Sequence, residues 1–221
     1  MVKEQAVSEP VSTELGRTPI ILYGAPTGNC IRAAIALEEA GLPYVVRKID
    51  LRNGEQHSAS YLSLNPAGLV PAIVVQAEGV DSLVITQSNA IIFYAAERAA
   101  GRLLPKEGNA QRALVLERFF CFVTDVIAPS YASFLARRQG QDAIATMLDA
   151  RALQTICRAE HYVARSAFIA GDSFTIADIA AYTITTFYKP QLPLDELPNL
   201  QRWLRDLEVR SSVTRGYRAV G

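Results

Sequence analysis

The chain has 221 residues, half of them hydrophobic, with 22 basic and 22 acidic side chains and an isoelectric point near 6.7. That length holds one large domain or two small ones, with enough interior to dispense with covalent staples. The balanced charge argues against a nucleic-acid partner, whose footprint is a basic patch or stripe. Cys30, Cys121 and Cys157 make neither a CxxC pair nor an even-numbered framework, which suits a reducing compartment. Residues 1–18 read as a flexible arm, polar and mixed in charge, rather than a secretory signal. No stretch reaches the ~18 uncharged apolar residues of a membrane span. Without zinc-ligand spacing or a phosphate loop, neither a metal nor a nucleotide cofactor is expected. The expectation is a cytoplasmic protein with no membrane partner.

Ile20–Tyr23 is an apolar run stopping at Gly24-Ala25-Pro26, a buried strand followed by a turn. Ile31, Ala34, Ile35, Leu37 and Ala40 then recur at helical spacing, predicting a helix from Asn29 to Ala40 that Gly41 ends. Tyr44 to Ile49 reads as a second strand, so strand, crossover helix and strand predict a parallel pair. A polar stretch at 50–60 leads into 61–71, where two prolines and a glycine interrupt regular structure. Pro71–Val75 is a third strand, and Gly79-Val80-Asp81 turns into its hairpin partner at Leu83–Ile85. A helix from about Gln87 to Ala99 completes a β-α-β, β-β-α unit over residues 19–100. Beyond the linker at 101–108 only helical patterns follow: 109–128, 141–163, one starting at Thr175 and one near 200–207. The predicted fold class is thus an α/β unit followed by an all-α bundle at 109–221.

Three clusters carry candidate chemistry. Pro26-Thr27-Gly28-Asn29-Cys30 lies between a strand and the helix it feeds, where open amides and the positive end of the dipole favour an anion or thiolate. Thr27 and Asn29 have side chains able to donate to a thiolate, although either also serves as a helix cap. Cys30 is a rival nucleophile, because a helix start lowers a thiol pKa. In Asn65-Pro66-Ala67-Gly68-Leu69-Val70-Pro71 a cis Val70–Pro71 bond would turn the Val70 amide and carbonyl outward, to pair with an extended peptide as an added strand. In Gln87-Ser88-Asn89 the serine and helix-start amides suit a carboxylate, with a plain serine cap as the alternative.

Together these residues resemble the cytosolic glutathione S-transferase family over residues 19–212. The markers are Leu22-Tyr23, the helix from Ile31 to Tyr44, Asn65-Pro66 with Gly68 and Val70-Pro71, and Gln87-Ser88-Asn89-Ala90-Ile91. Gly171 to Asp178 adds a helix start in which Thr175 and Asp178 form a capping box. The resemblance implies a thioredoxin-like N-terminal domain, glutathione as co-substrate and a homodimer meeting near Ala110 and Leu114. It places Val70, before the cis Pro71, against the cysteinyl backbone of glutathione. It places Gln87 and Ser88 at the γ-glutamyl end, with Gln87 standing where the family has an acid. Gln56 and His57 fall where some classes contact the glycyl end.

The first turn resembles the Thr-Pro-Asn-Gly stretch of bacterial Nu-class and disulfide-reducing members, with Gly28 in place of their proline and Cys30 in place of their glycine. That makes Asn29, assisted by Thr27, the expected thiolate donor, and leaves Tyr23 to pack. The implied activity is glutathione transfer to an electrophile or reduction of a disulfide, neither of which needs a general base once the thiolate exists. The alternative is a non-catalytic glutathione-binding or structural member of the same scaffold.

Overall fold

The computed structural model describes residues 19–77 and 80–221; the N-terminal arm expected at 1–18 and part of the turn expected at Gly79 lie outside them. The first half forms a four-stranded sheet in the order β2-β1-β3-β4, from β1 (Ile20–Gly24), β2 (Tyr44–Lys48), β3 (Ala72–Ala77) and β4 (Val80–Ile85). β1 and β2 run parallel, while β3 lies antiparallel to both β1 and β4. Helices α1 (Gly28–Ala40) and α3 (Ser88–Arg98) pair with each other, and short α2 (Ala59–Leu62) packs Tyr61 with Tyr23, Ile49, Ala72 and Val74 in a separate small core. This is the thioredoxin-like arrangement followed by helices alone.

Those helices are α4 (Ala110–Phe122), α5 (Ala128–Arg138), α6 (Asp142–Val163), α7 (Ile176–Tyr188), α8 (Pro198–Glu208) and α9 (Ser211–Val220). The helix predicted at 109–128 does not end there. A π-helical turn at Val123–Ile127 joins α4 to α5, so the rod continues to Arg138. Pro129 follows closely on the π turn, and the widened turn makes room in a continuous helix for a ring that crowds the preceding carbonyls and supplies no amide hydrogen. The rod's stretch 119–136 is long and apolar enough to span a membrane by length and composition alone, with Asp125 as its one charge. Here it packs along α6 and α7.

α9 was absent from the sequence reading, because its short pattern, Ser211-Ser212-Val213 to Val220, includes a glycine. Gly216 explains itself: a Cβ there would stand 3.0 Å from the Ile35 backbone nitrogen. Glycine lets α9 lie directly on α1, and charge fixes the seat. Arg210 holds Glu39 through two bonds of 2.5 and 2.9 Å, Ser212 donates to the same carboxylate, and Arg215 reaches Glu38 at 2.5 Å.

The capping box at α7 forms as read. Thr175 is the N-cap, and Asp178, fully buried, accepts from the Thr175 and Ile169 amides and from Trp203 Nε1 at 2.9–3.0 Å. Burial pushes the Asp178 carboxyl up to about 6, against the lowering effect of those donors. The folded state then holds its proton more tightly than the unfolded chain. This contribution is complete at acid pH and is lost as pH rises from about 4 to about 6. Asp178→Ala leaves three buried donors unpaired and should cost about 3–5 kcal/mol in urea unfolding. For Asp178→Asn, which does not titrate, the stability gap to the parent should narrow as the pH is raised over that range.

Candidate functional site

The sheet register brings the three clusters together. Tyr23 stands opposite Ala72, and Ile73 opposite Ile85. The end of β1, the start of β3 and the end of β4 therefore meet on one sheet edge. What leaves or enters there is the Thr27 turn, the Val70–Pro71 bond and the Gln87-Ser88 helix start.

Val70–Pro71 is cis, as expected. Its approach is fixed from beneath: Tyr61 Oη and Asn65 Nδ2 both donate to the Leu69 carbonyl, at 2.7 and 2.6 Å. With that neighbour occupied, the Val70 amide and carbonyl find no hydrogen-bonding partner among the described residues. Pro71 is buried behind it. Gln56 and His57 lie in a 3₁₀ turn, Glu55–His57, that folds against the same loop. A Cβ on Gly68 would stand 2.8 Å from His57 Nδ1, so the exposed His57 ring packs against Gly68. The Gln56 side-chain oxygen is buried without a partner.

At α3 the structure corrects the capping alternative. The N-cap is Gln87, exposed and without a side-chain cap bond, and Ser88 is the first helical residue. Ser88 is buried, yet its hydroxyl makes no hydrogen bond with the described residues. The Asn89 side-chain oxygen beside it is also unpartnered. Two helix starts thus present open amides to one region, each carrying a partial positive charge.

At α1, Thr27 is the N-cap: its oxygen accepts from the Cys30 amide at 3.4 Å. Its hydroxyl hydrogen goes to Cys30 Sγ at 3.1 Å, and the Ala25 amide also points at that sulfur at 3.4 Å. Cys30 is fully buried. Burial pushes its thiol up, more strongly than Thr27, Ala25 and Arg32 lower it. Both the burial and the raised pKa keep the sulfur in its less nucleophilic thiol form. Thr27 is therefore engaged inward, whereas Asn29 is exposed and makes no side-chain hydrogen bond with the described residues. Tyr23 packs away from this turn, its ring 6.1 Å from that of Tyr61.

Beyond Thr27 and Asn29 a cleft of about 540 Å³ opens between α1 and helices α5 and α7. Tyr131 and Phe134 line this cleft at 48% and 53% exposure. Phe119, by contrast, is in the core. The cleft wall is braced from behind: Arg137 and Tyr188 converge on Asp149 at 2.6 and 2.7 Å, joining α5, α6 and α7.

Residues 18–97 match the glutathione S-transferase N-terminal domain and residues 126–210 the glutathione S-transferase C-terminal domain. The chain belongs to the glutathione S-transferase family. It is 32% identical to glutathione S-transferase 1 of Zea mays, across 89% of this chain and 95% of that one. It is 29% identical to the disulfide-bond oxidoreductase YfcG of Escherichia coli K12, across 83% and 87%. A glutathione transferase from Burkholderia graminis, crystallised with two glutathione molecules per subunit, superposes with a TM-score of 0.78 at 26% identity, covering 91% of this chain and 88% of its own.

Membership makes the Gly68 contact testable. The φ of +63° and the His57 ring both exclude a side chain at position 68. Gly68→Ala should lower stability by about 1–3 kcal/mol in thermal or urea unfolding, and His57→Ala in the same chain should return part of that loss.

Proposed function

We propose that the chain is a glutathione-dependent enzyme that binds the tripeptide along this edge and uses its thiolate on a second substrate in the adjoining cleft. One observation carries the reading: the groups left without partners, Ser88 Oγ, the Val70 backbone and the Asn29 side chain, lie on the two helix starts and the cis-proline loop, which leave the sheet at the same edge. The γ-glutamyl carboxylate would lie on Ser88 and the α3 amides, with Gln87 accepting from the ammonium. The cysteinyl backbone would pair with Val70, held by Pro71. The glycyl end would meet Gln56 and His57. The domain division at 101–108 would then leave residues 19–100 to hold glutathione and residues 109–221 to shape the second site.

The thiol would sit over the start of α1. There the dipole and the open Gly28 and Asn29 amides lower its pKa, and Asn29 supplies a neutral donor to the sulfur. Thr27 takes part by shaping the turn, because its hydroxyl hydrogen is directed to Cys30. Attack on a carbon or on a disulfide sulfur then follows from the same thiolate. The likeness of the turn to the Nu class and the sequence relation to the YfcG oxidoreductase favour disulfide exchange. Rates with 2-hydroxyethyl disulfide and with an activated aryl halide, both driven by glutathione, separate the two. Exposed apolar residues Leu114 and Phe120 on α4 are consistent with a homodimer.

The protein should be retained on immobilised glutathione and elute with the free tripeptide; failure to bind would favour a structural member of the scaffold. Ser88→Ala should weaken calorimetric glutathione affinity by about 1.5–3 kcal/mol with the fold intact, because a hydrogen bond to a charged group is lost. Unchanged affinity would move the carboxylate elsewhere. Asn29→Ala should raise the pKa of the bound glutathione thiol and depress turnover more than binding, followed by the ultraviolet absorbance of the thiolate against pH. Cys30→Ala should leave that pKa in place. A shift confined to the Cys30 variant would transfer the role to that sulfur.

A further inference from the structure

The cleft beside the glutathione edge contains a buried cation without a counter-ion. Arg32, on the inner side of α1, is 2% exposed. It is the only charged residue among the described residues lining the cleft, whose walls include Ile31, Ile127, Phe134, Ile184 and Phe187. Its Nε donates to the Gly28 carbonyl at 3.3 Å, Nη1 is buried with no partner, and no carboxylate lies within ion-pair reach among the described residues.

Long cationic side chains ordinarily bury their stem and leave the head in water; Arg32 buries both. A buried guanidinium with one bond is incompletely compensated, and burial pulls its pKa down only to about 10, so it remains charged at neutral pH. The head is not sealed off from the cleft. Its Nη2 lies 3.9 Å from the position a Cβ would take on Gly28, itself an exposed residue of the cleft wall. The missing side chain leaves the guanidinium a route to an occupant. Around it, Phe187 and Phe134 present large apolar faces, at 66% and 53% exposure, that a hydrophobic body would cover.

We propose that Arg32 selects the second substrate by its charge: an aromatic or alkyl carboxylate whose acid group pairs with the guanidinium while its apolar body lies along Phe134, Ile184 and Phe187. A planar fork meeting a carboxylate through two parallel bonds is the pairing that this side chain makes best. The reading rests on the cleft being the second-substrate site of a glutathione enzyme, but the anion site is measurable without glutathione.

The test is calorimetric binding of naphthalene-2-carboxylate and its neutral twin naphthalene-2-carboxamide to the full chain, with and without glutathione. The parent should prefer the carboxylate by about tenfold or more, the scale of one charged hydrogen bond. Arg32→Met, close in shape but uncharged, should abolish that preference while still binding the amide, and Arg32→Lys should keep part of it. Equal affinity of the parent for both probes overturns the proposal, as does the absence of saturable carboxylate binding. Arg32→Met weakening both probes alike also overturns it. If that variant fails to fold, the parent comparison and Arg32→Lys decide the matter. Carboxylate preference without glutathione binding would sink the glutathione reading and leave the anion site standing. Glutathione binding without the preference would do the opposite.

Discussion

The structure depends on burying one helix from both sides. Residues 32–37 of α1 are all buried, because α1 packs against α3 of the sheet unit and against α7 and α9 of the helical unit. An amphipathic helix at a surface needs one apolar stripe, whereas a helix enclosed this way must be apolar nearly all round. Ala33, Ala34 and Ala36 meet that demand with the smallest side chains that keep helical propensity. Small residues let helices approach closely, so a single continuous core runs from Leu22 in the sheet to Trp203 in α8. The cleft owes its geometry to the same helix, since α1 contributes one wall and carries the turn that faces glutathione in the proposed function.

Much of this was legible in the sequence because its signals are local. Strand length, the Gly41 stop and the Thr175–Asp178 box each depend on a few neighbouring residues, and each element appears within a few residues of its expected place. The π turn at Val123–Ile127 was not legible, because Pro129 reads in a sequence as the end of a helix and not as the mark of a widened turn within one. α9 was missed for the opposite reason: Gly216 looks like a weakness until the Ile35 backbone is seen against it.

The site divides the same way. The positions of Val70, Pro71, Gln87 and Ser88 follow from motifs, but which polar atoms are already engaged is a tertiary matter. Thr27 and Asn29 look interchangeable as donors on paper. In the folded chain the buried sulfur of Cys30 takes the threonine hydrogen, while Asn29 stays exposed. Similarly, Arg32 reads as one more charge on a helix, and only the enclosure of α1 turns it into an unpaired cation. By residue type Tyr131 and Phe134 suit a core as well as a pocket wall, and only the cleft between α5 and α1 shows that both stay accessible.

The seat of α9 on α1 has a consequence in time. Glu39 and its partner Ser212 are 173 residues apart in the chain. At a synthesis rate of roughly 5–20 residues per second, the sheet unit, finished at Arg98, waits about six to twenty-four seconds before the helix that covers Ile35 is complete at Val220. During that interval β1 to α3 are able to assemble, but one flank of α1 remains an apolar surface facing water. The nascent chain therefore passes through a stage in which a helix built for burial on both sides is half-covered, and that is the stage at which a chaperone has a surface to hold.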